Sequence, residues 1–365
     1  MASQFAISDR WFSPLSSKTI PNRLAVMTGG TTQGLVYDPF SDDHLGELTI
    51  ETIFQELDSA GVAWKIYYTN TDATDIANPP DQLPATPFGY FPYSQNYMYN
   101  NPSHSPCQAP TQPSSVVGDS SNSFCIDPNH IAPLSQYFTD IQNGTLPQFA
   151  YIEPGYNDGT DEHPSASVIP GQQQVAKIVN ALMNSPSWKD SVFFLSYDEG
   201  GGPYDHVPPV PNHTNQNTDA SLNITTDISS IAVNPDSFFP CPPPNPPTAT
   251  LHCDLRSYGS YADPGYNSGD APAQQGFAAQ LGFRLPNIVI SPFTRRHYVS
   301  HIPMDHTAII KFVENRFIGS SIHLTARDAA QPNLLDFFDF TGAPWATPPS
   351  PPTPSSANSC SPENL

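Results

Sequence analysis

The chain has 365 residues and a net charge of −21, from 13 Lys and Arg against 34 Asp and Glu. A field of that sign repels polyanions, which argues against nucleic acids and anionic membranes as electrostatic partners. Hydrophobic residues make up 38% of the chain and 43 residues are proline, which predicts a globular protein with long, ordered, irregular loops. The length is sufficient for one large α/β core or two ordinary ones.

Three short apolar runs are predicted to be strands, because each ends in a polar turn: residues 23–27, 192–196 and 287–291. Residues 50–60 and 172–183 place apolar side chains at three- and four-residue spacing, which predicts helices packed on a sheet. Alternating strands and helices are typical of an α/β sandwich with a mostly parallel central sheet, which binds ligands at the carboxyl ends of its strands.

The segments between these elements are rich in Pro, Asn, Ser, Gly and Tyr. Residues 74–134 and 207–280 are predicted to be loop insertions that serve as lids or binding walls. We therefore expect a single domain over residues 1–342, followed by a flexible proline-rich tail at 343–365.

Cysteines and glycosylation sequons favour an extracellular protein. Pairing Cys107 with Cys125 and Cys241 with Cys253 would close two local loops in an oxidising compartment, leaving Cys360 unpaired. The alternative is that all five cysteines are free thiols. Asn-x-Ser/Thr sequons begin at Asn143, Asn212 and Asn223. The sequence shows no signal peptide and no apolar run long enough to span a membrane. Either an export signal lies on an upstream segment, or the protein is intracellular and the cysteines are not paired.

A carboxylate pair follows the second predicted strand. Asp198 and Glu199 precede three glycines at 200–202, and Asp205 and His206 follow that turn. Adjacent carboxylates concentrate negative charge that a hard cation relieves, and the glycines let the backbone turn sharply. The segment predicts a site to which all four side chains contribute; a solvated acidic hairpin is the alternative.

A glycine turn with hydroxyl groups follows the first predicted strand. Residues 29–34 read Gly-Gly-Thr-Thr-Gln-Gly. Glycines free backbone N–H groups to face an anion, and a hydroxyl there can act as a nucleophile. Taken alone, the segment fits a structural turn equally well.

Several histidines lie beside carboxylates near the ends of predicted strands or helices: His163, His206, His301 and His306. Residues 300–307 lead into a predicted helix at 308–317. Histidine and carboxylate together can bind a metal ion or protonate the leaving group of a phosphate ester.

These motifs occur in a fixed order at residues 9–12, 21–23, 61–68, 161–164, 197–209, 284–292 and 300–307. Together they resemble the phosphoesterase family that contains non-specific phospholipases C and acid phosphatases. That resemblance implies an alkaline-phosphatase-like three-layer sandwich and a phosphoenzyme mechanism. The substrate it implies is a small phosphoester or a phospholipid head group.

The resemblance also implies roles for individual residues. Thr31 matches the nucleophile, with Thr28 and Thr32 as alternatives, and Asp198 and Glu199 match metal ligands. Thr31 would also contact the metal, which the ligand types allow to be Ca, Mg, Mn or Zn. The catalytic histidines implied are His163, His206, His301 and His306.

One departure concerns the metal ligands. Family members carry an upstream Glu-Asn-x-Ser-Phe-Asp motif, and the sequence before Asp9 contains none. We therefore expect that an N-terminal segment is missing; the alternative is a catalytically impaired member that acts as a binding module. Sulfate-ester hydrolysis is disfavoured, because no Cys-x-Pro-x-Arg or Ser-x-Pro-x-Arg motif follows a strand.

Overall fold

The computed structural model describes residues 1–15, 19–30, 51–68, 83–84, 116–117, 130–153, 159–160, 162–163, 166–200, 205, 207 and 281–350. The α-helices there are α1 Thr19–Met27, α2 Ile53–Ser59, α3 Leu134–Asn143, α4 Val168–Met183, α5 Thr307–Phe317 and α6 Ala326–Ala330. The strands are β1 Ala6–Ser8, β2 Trp11–Phe12, β3 Trp64–Tyr68, β4 Leu83–Pro84, β5 Val116–Val117, β6 Ile131–Pro133, β7 Phe149–Glu153, β8 Phe193–Ser196, β9 Asn287–Ile290, β10 Tyr298–Ser300 and β11 Met304–Asp305.

Several small sheets form the mixed α/β architecture of the described residues. One sheet has the order β10-β1-β9-β8, and another has the order β6-β3-β7 with all neighbours parallel. In the first sheet, β8 and β9 are antiparallel with Phe193 opposite Ile290, while β1 and β10 are parallel. The predicted strands at 192–196 and 287–291 are confirmed, but their antiparallel pairing differs from the expected parallel one. Local apolar patterns do not encode strand direction.

The predicted strand at 23–27 is wrong, because these residues form the second half of α1. A run of five mostly apolar residues is too short to distinguish a strand from a buried helical turn. The helix buries Leu24, Ala25 and Met27, and Pro21 lies in its first turn, where a missing N–H is tolerated.

The predicted helices are confirmed as α2, α4 and α5, with small shifts at their ends. Helix α4 buries Ile178, Val179 and Leu182 in a core cluster that also contains Phe5 and Ile290. A hydrophobic stripe at helical spacing thus marks the side of α4 that faces the sheets. None of the helices in the described part of the chain is long and apolar enough to cross a membrane.

The C-terminal segment joins the core further along the chain than predicted. Trp345 is buried, its ring centroid lies 4.9 Å from that of Phe5, and its carbonyl accepts a hydrogen bond from Trp188 Nε1. The expected flexible tail therefore cannot begin at 343, because the large apolar area of the Trp345 ring anchors this segment. Residues 351–365 lie outside the described residues.

Other predictions fall partly or wholly outside the described part of the chain. The loop insertions are such a case, with two exceptions in the first of them. Residues 83–84 and 116–117 form the paired strands β4 and β5, and residues 131–134 form β6 and the start of α3. The cysteines and two of the sequons also lie outside it. The remaining sequon begins at Asn143, the exposed last residue of α3, and not in a loop.

Candidate active site

The end of β8 carries two acidic side chains that helix α1 holds in place. Arg23 Nε donates to Asp198 Oδ2 at 2.9 Å, and Thr19 Oγ1 donates to Glu199 Oε1 at 2.8 Å. The backbone N–H of Glu199 also donates to Asp198 Oδ1 at 3.1 Å. We call the surrounding concavity the carboxylate cleft, and its lining includes Thr19, Arg23, His163, Asp198, Glu199 and His306.

Asp198 is an anion in this environment. Burial favours the neutral acid, but the charge and hydrogen bond of Arg23 hold the pKa of Asp198 below its usual range. The cleft therefore contains a fixed, partly buried charge pair at neutral pH. A permanent carboxylate at a strand end can orient a cation or a polar substrate without first losing a proton.

His163 is an exposed residue in the lining of the cleft, and its neighbour Glu162 ties its segment to β8. The Tyr197 hydroxyl donates a short hydrogen bond to Glu162 Oε2. Burial, reinforced by Glu162, raises the pKa of Tyr197, so that the phenol keeps its proton and remains the donor. This contact holds His163 near the carboxylates that follow Tyr197.

Gly171 on α4 makes room for the Glu162 segment. A Cβ at this position would stand 2.6 Å from Glu162 Cγ and 2.6 Å from the Thr160 carbonyl oxygen, and it would also clash with Glu162 Oε1. Only a glycine lets the helix approach this closely. Packing of α4 thus helps to place His163 at the cleft.

Replacing Gly171 with Ala is expected to lower the free energy of unfolding by about 1–2 kcal/mol, because overpacking outweighs the gain in helix propensity. Urea unfolding would measure the change. In a Glu162→Ala background, Gly171→Ala should cost less stability than it does in the wild type, since two of the clashing atoms are then gone. A Gly171→Ala protein as stable as the wild type would contradict this packing.

His306 is a buried residue that contacts Ser196, the last residue of β8. It is only 2% exposed, and its Nε2 lies 3.1 Å from Ser196 Oγ, which also accepts a hydrogen bond from Trp11 Nε1 at 2.9 Å. Burial lowers the pKa of His306 to about 4, although Asp305 and Asp198 oppose that shift. The ring is therefore neutral at neutral pH and does not supply positive charge to the cleft.

The structure places the other predicted residues in different environments. His301 is exposed, its Nδ1 lies 2.8 Å from Asp9 Oδ2, and it is not among the described residues lining the cleft. Thr31, its alternative Thr32 and His206 lie outside the described residues. The alternative nucleophile Thr28 is buried at the end of α1, where its hydroxyl donates to the Leu24 carbonyl at 2.9 Å.

Asp205 does not join the carboxylate pair as its sequence position suggested. Its two oxygens accept from Arg284 Nε at 2.9 Å and Nη2 at 2.5 Å. Arg284 also donates to the Asp9 carbonyl. Within the described residues, Asp205 therefore anchors its part of the chain to the segment before β9, a structural role that local sequence could not reveal.

Asp198 and Glu199 fit a divalent ion only in part. They supply two carboxylates, Arg23 already balances the charge of Asp198, and no third His, Cys, Asp or Glu of the described residues completes a metal-binding group with them. Divalent ions in proteins take four or more ligands. A metal here would need Thr31 or other ligands from outside the described residues.

A second group of metal-ligating side chains lies elsewhere in the fold. Glu314, His323 and Asp328 each offer a ligand atom, and these atoms lie within 4.8 Å of one another. The sequence alone does not predict this group, because no motif connects a helical Glu with a His nine residues later and an Asp five residues beyond that. Folding of α5 against α6 brings the three together.

Comparison with known sequences defines the class of protein. Residues 1–318 match the profile of the Phosphoesterase family. Because that match covers most of the chain, the chain belongs to the Phosphoesterase family, and the resemblance drawn from its motifs is confirmed.

The relatives are phospholipases C of bacteria and plants. The chain is 28% identical over 362 residues to phospholipase C B of Mycobacterium tuberculosis, covering 97% of this chain and 56% of that protein. It is 26% identical over 361 residues to non-specific phospholipase C1 of Arabidopsis thaliana, covering 94% and 50%. For the non-hemolytic phospholipase C of Burkholderia pseudomallei, the identity is 26% over 324 residues, covering 87% and 39%. The chain spans about half the length of the curated relatives it matches.

Proposed function

We propose that the protein is a metal-dependent hydrolase of phosphate esters, of the phospholipase C or acid phosphatase type. The observation that carries the proposal is the ionised Asp198, held by Arg23 beside Glu199 in a cleft that His163 also lines. The family and the names of the relatives support a phospholipid head group or a small phosphoester as substrate.

Hydrolysis would take place in two displacements. The Thr31 oxygen forms a bond to phosphorus while the bond from phosphorus to the leaving oxygen breaks, and His163 carries the Thr31 proton to that oxygen, which departs as an alcohol. Water then adds to phosphorus, the bond to Thr31 breaks, and Thr31 recovers a proton as the phosphate leaves. A divalent cation bound by Asp198, Glu199 and Thr31 would supply Lewis acidity.

Arg23 and Tyr197 position the catalytic groups in this scheme. Arg23 fixes the orientation of Asp198, and Tyr197 fixes the segment that precedes His163 through Glu162. Positioning of this kind lowers the entropic cost of the reaction, because the reacting groups are already aligned before the substrate binds.

The same proposal includes the type of fold and the location of the protein outside the cell. We place the described sheets and helices in an alkaline-phosphatase-like three-layer sandwich. The sequons and the cysteine spacing support a secreted protein with local disulfides.

One observation favours a second candidate function, that of a binding module without turnover. Among the described residues, only Asp198 and Glu199 supply carboxylates at the end of β8, and Arg23 already neutralises one of them. Substrate would then bind without a metal to activate the nucleophile.

Assays on p-nitrophenyl phosphate and phosphatidylcholine, with and without added divalent metal, separate these candidates. We expect metal-stimulated turnover by the wild type and background rates for Thr31→Ala. Thr32→Ala provides the matched control and should keep most of the activity. Equal rates for the wild type and Thr31→Ala would remove Thr31 as nucleophile, and absence of turnover with every metal would favour the binding module.

A further inference from the structure

The geometry points to a divalent-cation site formed by Glu314, His323 and Asp328, separate from the carboxylate cleft and suited to Zn²⁺ or Mn²⁺. The site lies where α5 packs against the segment that leads into α6. It does not depend on the catalytic proposal above.

Glu314 and Asp328 each direct one side-chain oxygen toward the His323 ring. Glu314 Oε1 accepts the backbone N–H of Leu324 at 3.0 Å, and Asp328 Oδ1 accepts from Thr325. The remaining oxygens face His323, whose Nδ1 lies 2.7 Å from Glu314 Oε2 and 3.2 Å from Asp328 Oδ2. Backbone and hydroxyl donors thus orient the two carboxylates and leave one oxygen of each directed at the imidazole.

Keeping both the Glu314 and the Asp328 side chains ionised in a buried site costs free energy unless a further positive charge lies beside them. The side chains of Glu314 and Asp328 are fully buried, and the Glu56 carboxyl from α2 contacts that of Glu314. Among the described residues, Asp328 Oδ2 is a buried atom that makes no hydrogen bond, although His323 Nδ1 lies 3.2 Å from it. Buried carboxylate oxygens without a hydrogen bond are rare in native proteins, and an ion bound to Glu314, His323 and Asp328 would give this oxygen a partner.

The ligand types select the class of ion. An imidazole with two carboxylates suits Zn²⁺ or Mn²⁺, whereas Ca²⁺ prefers oxygen ligands alone. At bond lengths of about 2.1 Å, neighbouring ligand atoms around an ion stand roughly 3.0–3.4 Å apart, and the two separations from His323 Nδ1, 2.7 and 3.2 Å, lie near that range. The three side chains would leave the fourth coordination position to a water molecule. His323 is 18% exposed and offers an entry path from solvent.

The site lies directly beneath the glycine turn that precedes Thr31 in the sequence. Thr325 Oγ1 lies 2.5 Å from the Gly29 carbonyl oxygen and 2.8 Å from Asp328 Oδ1, so its single hydroxyl proton can be donated to either of them. Gly29 has a φ of 67°, and a Cβ there would stand 2.7 Å from Asp328 Oδ1. An ion that fixes Asp328 would therefore also stabilise this turn.

Zinc titration of the double variant Asp198→Asn, Glu199→Gln isolates the proposed site from the carboxylate cleft. Isothermal titration calorimetry should give one Zn²⁺ per chain, and zinc should raise the midpoint of thermal unfolding. Adding Glu314→Gln or His323→Gln should weaken binding by roughly 100-fold and abolish the rise in midpoint. His323→Gln keeps the test decisive if the buried Glu314→Gln variant fails to fold.

His297→Gln in the same background is the matched control for adventitious binding to histidine, because His297 is exposed and contacts the Ser3 carbonyl. It should bind zinc as its parent does. A proton shared by Glu314 and Asp328 would offset the same charge without an ion. In that case the double variant would bind no zinc, and the proposal would be overturned, as it would if His323→Gln bound zinc as tightly as its parent.

Discussion

Phosphoester hydrolysis by Asp198→Asn is expected to be slower than that of the wild type by about 100-fold or more, because Asp198 is a proposed metal ligand and altering even the residues that support metal ligands costs about 10–100-fold. Asparagine preserves the shape of the side chain but removes the charge that faces the cleft. It also leaves the Arg23 guanidinium without its carboxylate partner at 2.9 Å. Loss of this ion pair should also disturb the neighbouring Glu199, whose backbone N–H donates to Asp198 Oδ1.

The matched control for that substitution is Asp205→Asn, which makes the same chemical change in the same sequence motif. Asp205 pairs with Arg284 and is not among the described residues that line the cleft. We expect this variant to lose stability but to keep its rate per folded molecule. Steady-state rates, normalised to the folded fraction from circular dichroism, would compare the two variants. Equal rate losses in both would mean that Asp198, too, is only structural.

The second large effect is expected from Arg327→Met, which should lower the free energy of unfolding by about 3–5 kcal/mol, the usual cost of breaking a buried ion pair. Arg327 donates to Asp305 Oδ2 from Nε at 3.1 Å and from Nη2 at 2.8 Å, and its Nη2 also donates to the Pro14 carbonyl. Both side chains of the ion pair are almost fully buried. The variant would leave the Asp305 carboxylate buried without a cation.

The pH dependence of that loss follows from Asp305. In the wild type, burial opposes ionisation, but Arg327 and Thr307 hold the pKa of Asp305 below its usual value. The ion pair therefore stabilises the fold above the unfolded-state pKa of about 3.9, and this contribution disappears as the pH falls through the folded-state pKa. Without Arg327, burial raises the pKa of Asp305, so the deficit of the variant should shrink as the pH falls from 7 toward 4.

Urea unfolding at pH 7 and pH 5 would test both the size and the sign of this effect. Arg316→Met is the matched control, because Arg316 is an exposed residue on α5 whose guanidinium lies over the Phe317 ring. Arg316→Met should change the free energy of unfolding by no more than about 0.5 kcal/mol. A pH-independent deficit in Arg327→Met would show that the guanidinium acts through packing and not through charge.

The sequence by itself determined the family, the strands at 192–196 and 287–291, and the helices α2, α4 and α5. Each of these depends on a local pattern: an apolar run bounded by turn residues, a stripe at helical spacing, or a motif whose residues are contiguous. The Asp198-Glu199 segment was informative for the same reason, since the strand, the carboxylates and the glycines follow one another directly.

Tertiary structure alone decided what these side chains contact. The Arg23 to Asp198 bond joins residues 175 positions apart, and the Glu162 to Tyr197 bond joins residues 35 apart. The run at 23–27 became a helix because its apolar side is buried where the helix packs against α5, and a five-residue pattern cannot encode that choice.

The cluster of Glu314, His323 and Asp328 shows the same limit most clearly. Its members lie on two elements and a connecting segment, and packing alone brings their ligand atoms within 4.8 Å of one another. Local sequence specifies which side chains can hold charge or bind a metal. Long-range packing decides which of them meet, because the free energy of burial that brings them together is distributed over residues far from the motif itself.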